Sequence, residues 1–294
     1  MLKATTEALH EKAKGLDDLP RVDAAIILAE GQIAATEVVL DAASVIAAGS
    51  SVLAKTIREG GVIHYVAAGS SGLMAAADAL ELGGTFSISP AQLRIHMAGG
   101  MPSGVEMAGG TEDDTSGLDK AMHGLSASDA MIAVSASGTT PYTLEAVRFA
   151  KAAGAKIIGI ANNSGSPLLE IADYPILLAT PPEVLSGSTR MGAGTAQKIA
   201  LNMLSTLMAI DLGHVHDGMM VNLYADNTKL RARAAAMVSR IAEVDDDVAN
   251  AALEASGGQV KPAILVARGY SPKAAHDLLR ETEGNLRAAL ARLN

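Results

Sequence analysis

Between residues 60 and 212, short apolar runs alternate with helical patterns, and this alternation limits the fold more than any other feature of the chain. Runs at 62–67, 93–97, 130–134, 155–160 and 174–178 read as strands. Stretches at 50–58, 72–82, 119–125, 143–153 and 192–212 read as helices, with stops at Gly60-Gly61, Gly83-Gly84 and Gly154. Mostly apolar strands that alternate with helices are covered on both faces. The expected fold class is therefore α/β, a doubly wound and mainly parallel sheet. Ligands of such sheets lie beyond the carboxyl ends of the strands.

Two of those ends carry loops of small, hydroxyl-bearing residues. Gly69-Ser70-Ser71-Gly72 follows the first run, and Ser135-Ala136-Ser137-Gly138-Thr139-Thr140-Pro141 follows the third. Each is followed by a helical pattern, which sets backbone N–H groups and hydroxyls at a helix N-terminus, a natural anion site. The pair points to a phosphorylated small molecule, with Ser70, Ser71, Ser135, Ser137 and Thr140 as candidate contacts. The competing reading of Ser135, Ser137 and Thr140 is local capping of the next helix.

The 294 residues suffice for one large α/β domain and a smaller one. Apolar residues make up 49% but aromatics only 2%, so Ala, Val, Ile, Leu and Met must build the core. A net charge of −9 with no basic stripe argues against a nucleic-acid partner. The chain has no cysteine, which excludes disulfides and thiolate chemistry, and its histidines show no metal-ligand spacing, so no metal is expected. The segment from Met1 to Glu7 lacks a signal-peptide core, and no 18 apolar residues run uninterrupted. The expectation is a cytoplasmic chain that spans no membrane.

Three segments are expected. Residues 1–20 are polar and read as an N-terminal arm, and 21–239 hold the sheet, opening with a helix over 22–47. From 240 the character changes, and 240–294 read as a small helical domain with its sharpest turn at Gly269-Tyr270-Ser271-Pro272. Residues 262–268 fit either a strand or a helix.

Longer phrases carry a resemblance. They are Gly69 through Phe86, Glu112-Asp113-Asp114, Ser137-Gly138-Thr139-Thr140-Pro141-Tyr142, Pro182-Glu183-Val184-Leu185-Ser186-Gly187-Ser188-Thr189-Arg190, and Ala193-Gly194-Thr195-Ala196-Gln197-Lys198 with Leu201-Asn202-Met203-Leu204-Ser205-Thr206. Together they resemble the N-acetylmuramic acid 6-phosphate etherase family, whose fold is of the sugar isomerase (SIS) type. The match covers roughly residues 20–294, and the block over 182–206 is its specific part. Asp226-Asn227-Lys229 also resembles family sequence and is expected to order a helix or a subunit contact.

The resemblance implies a homodimeric lyase with no metal or organic cofactor. Its reaction removes the lactyl ether at C3 by elimination and rehydration, giving N-acetylglucosamine 6-phosphate and D-lactate. It further implies that Glu81 and Glu112 are the functional carboxylates, and Glu183 is analogous in position to an active-site acid of some related isomerases. Ser188 and Thr189, in the loop before the 192–212 helix, are candidate contacts to the sugar, with capping of that helix as the other reading of Ser188. The bland reading of Glu183 is a solvated loop charge. Carboxylates suit the task, because the C2 proton becomes acidic once C1 is an open aldehyde. In a helix over 72–82, Glu81 would stand about 15 Å from Ser70. We therefore expect the 135–140 loop to hold the phosphate, with Glu81 projecting from a helix end near that loop, across a dimer interface.

Three cationic positions of the family pattern, which has Arg at Leu73, Arg at Thr139 and Lys at Gly192, are missing; the pattern also has Cys-Pro-Pro at Leu82-Gly83-Gly84, and its opening phrase survives only as Thr6-Glu7. The rival expectations are a sugar-phosphate aldose/ketose isomerase and a non-catalytic sugar-phosphate-binding regulator.

Overall fold

A computed structural model describes residues 4–225 and 227–292. Met1, Leu2, Lys3, Asp226, Leu293 and Asn294 lie outside the described residues, so the expectations placed on Asp226 and on the last two residues of the 240–294 domain are untouched by it. The chain divides into two compact units, one of 1–79 and 91–205, the other of 80–90 and 206–294.

In the first unit, β1 (Ile63–Ala67), β2 (Leu93–Met97), β3 (Ala130–Val134), β4 (Lys156–Ala161) and β5 (Tyr174–Leu177) form one parallel sheet in the order β2-β1-β3-β4-β5. All of the pairings are parallel, for example Tyr65 beside Ile132 and Ile132 beside Ile158. The helices lie where alternation of side chains requires. Val66, Met131, Ala133 and Ile157 point to one face, where they pack with Ala146, Val147 and Ala150 of α5 (Pro141–Ala152) and Leu168 of α6 (Pro167–Ile171). Tyr65 points to the other face and donates from its hydroxyl to Asp78 of α3 (Gly69–Phe86) at 3.0 Å. Asp78 also accepts from Asn202 and Ser205 of α7 (Gly192–Asp211) at 2.8 and 2.9 Å. Strand order steps one way from β1 to β2 and the other way from β3 to β5. Right-handed crossovers then demand opposite faces for the connecting helices.

Several boundaries differ from the sequence expectation. The first helical region does not run through 22–47: α1 (Arg21–Glu37) ends, the chain turns, and α2 (Ala43–Arg58) begins. Together they hold an 18-residue window of mean hydropathy 1.6, long and apolar enough by composition to cross a membrane. Here α2 buries Ile46, Leu53 and Ala54 in the unit's core. Gly83-Gly84 does not break α3, because Leu82 and Phe86 are buried and packing overrides propensity. The helix ends instead at Ser87, which takes φ +55°. Only Leu118–Ala121 of the expected 119–125 helix forms, as α4. The 1–20 arm carries a short turn at Thr5–Glu7, where buried Thr6 bonds through its N–H and hydroxyl to the side chain of Asn163.

Among the described residues the second unit holds the ends of α3 and α7, a two-stranded hairpin, β6 (Val215–His216) and β7 (Met219–Met220), and the helices α8 (Thr228–Ala242), α9 (Asp246–Ala255), α10 (Val260–Ala267), α11 (Pro272–Glu281) and α12 (Leu286–Ala291). Helices α8 to α12 share a core that includes Val238, Ala263, Ile264, Leu265 and Leu286. Asn227, Asp245, Ser271 and Asn285 cap four of the helices through their side-chain oxygens. The boundary expected at 239/240 falls inside α8. That helix packs on α9 and α10, so the helical unit starts earlier in the chain. Residues 262–268, ambiguous in sequence, belong to a helix.

Candidate active site

Both hydroxyl loops stand at the carboxyl ends of neighbouring strands, β1 and β3. The first is no separate loop, since Gly69 already opens α3 and places Ser70 and Ser71 in its first turn. Gly69 has φ +55°, a conformation that favours glycine. The second loop folds on its own hydroxyls. Ser135 Oγ lies 2.8 Å from Thr140 Oγ1 and 3.3 Å from Ser137 Oγ, and accepts from the Gly138 N–H at 3.0 Å. Ser137 Oγ accepts from the Thr139 N–H and hydroxyl at 3.1 and 2.9 Å. These bonds stay within residues 135–140 and none reaches an N–H of α5, so the hydroxyls do not cap that helix. They cluster three hydroxyls at the N-terminus of α5, whose N-cap, Thr140, makes no side-chain cap bond to the helix. Gly138, at φ +71°, lets the chain pass Ser166, whose Oγ lies 2.2 Å from where a Gly138 Cβ would stand.

Glu112 joins the two loops. Its backbone carbonyl accepts from the Tyr142 N–H at 3.0 Å, which ties it to the start of α5. Its side chain reaches back to α3, where Oε1 lies 2.8 Å from the position a Cβ on Gly69 would take. An exposed carboxylate is thereby held at the first turn of one helix by a backbone bond at the first turn of another.

Glu183 is buried at 5% exposure, contrary to the solvated-charge reading. Its two carboxylate oxygens accept from the backbone N–H groups of Gly192 and Ala193, at 2.9 and 2.8 Å. A side chain at 192 would meet Ala35 at 2.9 Å and the Glu183 carboxylate at 3.1 Å. Glycine here gives the acid two amides and the α7 dipole where the family pattern has lysine. Ser188 and Thr189 are half-buried in the preceding loop, and the Thr189 carbonyl accepts from the Gly194 N–H at 2.8 Å.

Glu81 is exposed on α3 and belongs to the other compact unit. The structure thus groups Ser135, Ser137 and Thr140, sets Glu112 beside the turn holding Ser70 and Ser71, and places Glu183 with Ser188 and Thr189 at the start of α7.

Sequence reasoning missed Asn162, Asn163 and Gln197. The Asn162 N–H donates to the Ala136 carbonyl at 3.0 Å, and Gln197 donates to Asn162 Oδ1 at 2.9 Å. Asn163 reaches the Ser137 carbonyl at 3.4 Å and Thr6 at 3.0 Å. These amides brace the second loop from β4, α7 and the N-terminal arm. Their one signal in the sequence was an Asn-Asn pair at the carboxyl end of a strand.

Residues 112–212 match the model of the SIS domain. The chain is 40% identical over 288 residues to an N-acetylmuramic acid 6-phosphate etherase of Deinococcus radiodurans, covering 97% of this chain and 94% of that one. It is 40% identical over 291 residues to one of Streptomyces coelicolor, covering 98% and 93%. Among solved structures, phosphoheptose isomerase from Neisseria gonorrhoeae aligns at a TM-score of 0.44 with 16% identity, covering 64% of this chain and 96% of that one. With near full-length identity of this level to the curated enzymes, the chain belongs to the N-acetylmuramic acid 6-phosphate etherase family.

Proposed function

We propose that the chain cleaves the D-lactyl ether of N-acetylmuramic acid 6-phosphate, with Glu112 and Glu81 as its acid and base groups. The observation that supports this most is the Glu112 carboxylate, lodged against Gly69 and tied by its backbone to Tyr142, between two hydroxyl-bearing helix starts. Ser135, Ser137 and Thr140 hold the phosphate, with α5 amides and dipole behind them. Ser70 and Ser71 line the sugar, and Ser188 and Thr189 meet its hydroxyls. Glu183 supports the loop that carries them.

The reaction opens with the ring-opened sugar, whose C1 aldehyde acidifies the C2 proton. One carboxylate removes that proton. The C3–O bond then breaks, and the ether oxygen takes a proton as D-lactate leaves. The resulting C2–C3 double bond, conjugated with the aldehyde, accepts water: hydroxyl at C3 and a proton at C2. A carboxylate that took the first proton can return it in the last step. We assign the C2 proton to Glu81 and the second role to Glu112.

Glu81 lies in the other compact unit, and a second copy of the chain is one source of that carboxylate. Val22, Ile26, Ile33 and Leu40 are exposed at 70, 51, 59 and 77%, at helical spacings that mark one face of α1 and the turn after it. We take this face as the homodimer contact. We further propose a cytoplasmic enzyme of cell-wall recycling, in keeping with a phosphorylated substrate.

The test is release of D-lactate from N-acetylmuramic acid 6-phosphate by the purified chain, with Glu112→Gln and Glu81→Gln alongside. Removal of a general acid or base costs about 10²–10⁴ in rate. Both variants should fall in that range while keeping the wild-type circular dichroism. Undiminished release by either variant removes that glutamate from the mechanism. No release by folded wild type overturns the assignment of substrate.

A further inference from the structure

The second unit contains a cavity of about 690 Å³ that shares no residue with the candidate active site. Its volume falls in the range of small-molecule sites, about 300–1,000 Å³. Val221, Leu223, Leu253 and Val260 give it apolar wall, and Asn222 and Asn250 supply amides. Two cations line it, Arg231 from the first turn of α8 and Lys261 from the first turn of α10. Residues 259–262, the start of α10, also form part of the lining, and the N-cap Gln259 makes no side-chain bond to that helix. Gly257 and Gly258, at φ +61° and +80°, bring the chain into the helix.

Lys261 is the second observation, independent of the helix end. It is 6% exposed, and its ammonium donates to the Gly284 carbonyl at 2.8 Å. An ammonium has three N–H groups, so this neutral acceptor uses one of them. No carboxylate pairs with Lys261 among the described residues. Burial pulls its pKa down to about 8. A buried cation without a counter-charge is costly, and such groups cluster where ligands bind. Glu254, exposed in the same wall, offers an acceptor for ligand hydroxyls.

We propose that this cavity is a second small-molecule site that takes a hydroxylated phosphate monoester. The phosphate meets Lys261, Arg231 and the α10 amides, and the hydroxyls meet Asn250 and Glu254. Two cations, an amide and a carboxylate in the wall suit an anion that also carries hydroxyls, and no residue of this wall belongs to the loops at the sheet.

The chain has no tryptophan, so Tyr224→Trp in the full-length protein places one emitter in the cavity wall. N-acetylglucosamine 6-phosphate is the titrant, with inorganic phosphate in a parallel arm. The expected result is a saturable change in emission that persists in Ser135→Ala/Ser137→Ala. Arg231→Gln and Lys261→Met should each weaken it by about ten- to a hundredfold, the loss of a charged hydrogen bond. No change in emission, while calorimetry shows the sugar phosphate bound to the protein, overturns the site. A change abolished by Ser135→Ala/Ser137→Ala and untouched by Arg231→Gln also overturns it, since the signal then reports the sheet loops. An equal affinity for inorganic phosphate overturns the role given to Asn250 and Glu254. Failure of lactate release leaves all of these readouts standing.

Discussion

Gly69→Ala separates the placement of Glu112 from the stability of the fold. The substitution has two effects. At φ +55° an alanine enters the left-handed region, which costs about 1–2 kcal/mol. Its methyl would also stand 2.8 Å from Glu112 Oε1, closer than a carbon and an oxygen can sit. The carboxylate is the end of a flexible, exposed side chain, so it moves aside at little further cost in stability. The expected melting shift is therefore small, about 3–6 °C for a unit of this size. Activity should fall far more, by about 10²–10⁴, because a displaced acid or base is a lost one. Two assays decide this: thermal unfolding, and D-lactate release under saturating substrate. Glu112→Gln supplies the comparison, with the same loss of kcat and no melting shift. The double variant should lose no more rate than Glu112→Gln alone, since both changes remove one function. Near wild-type kcat in Gly69→Ala, together with the expected melting shift, would refute the placement of Glu112 against α3 as the feature that matters.

Three further outcomes are expected. Asp78→Ala removes the acceptor of the buried Tyr65 hydroxyl and of half-buried Asn202, while Ser205 keeps the Asn202 carbonyl, and should cost about 2 kcal/mol by urea unfolding; a loss below about 1 kcal/mol would contradict the network. His64 and His96 stack with ring centres 5.2 Å apart, and burial, then the neighbouring ring, hold His96 near pKa 4. The unfolded chain protonates below about 6.5, so stability is lost as pH falls from there towards 4, by about 3 kcal/mol for His96. His96→Asn should flatten that part of the urea profile, and an unchanged slope would speak against the pair. Lys261 behaves in the same sense at higher pH. Its folded pKa near 8 lies below the 10.5 of a free lysine, so stability should rise as pH climbs from 8 towards 10, by up to about 3 kcal/mol. Lys261→Met should raise stability at pH 7 and remove that rise; a variant less stable than wild type at pH 7 would refute the cost assigned to the buried charge.

Much of the sheet was legible because its signals are local. The runs ending at Ala67, Met97 and Val134 became strands with those ends, since buried parallel strands need continuous apolar residues whatever surrounds them. The hydroxyl loops, Ser70 and Ser71 on one side and Ser135, Ser137 and Thr140 on the other, could be placed at strand ends for the same reason. Helix limits were harder to read. Gly83-Gly84 looks like a stop, and only burial of Leu82 and Phe86 carries α3 through it. The break at 38–42 and the membership of α8 in the helical unit likewise depend on distant packing partners.

By itself, then, the sequence determined the parallel α/β sheet, the two helix starts that suit an anion, and the phrases that mark the family. Tertiary structure alone decided that Glu112 meets Gly69, 43 positions earlier in the chain, and that Glu183 turns inward onto the amides of α7. It also decided that Lys261 is buried without a carboxylate at the wall of a cavity. The physical reason is the range of the interactions. Strand and helix patterns arise from neighbours in sequence, whereas the charge state and contacts of a carboxylate or an ammonium depend on groups that only the folded chain brings within a few ångströms.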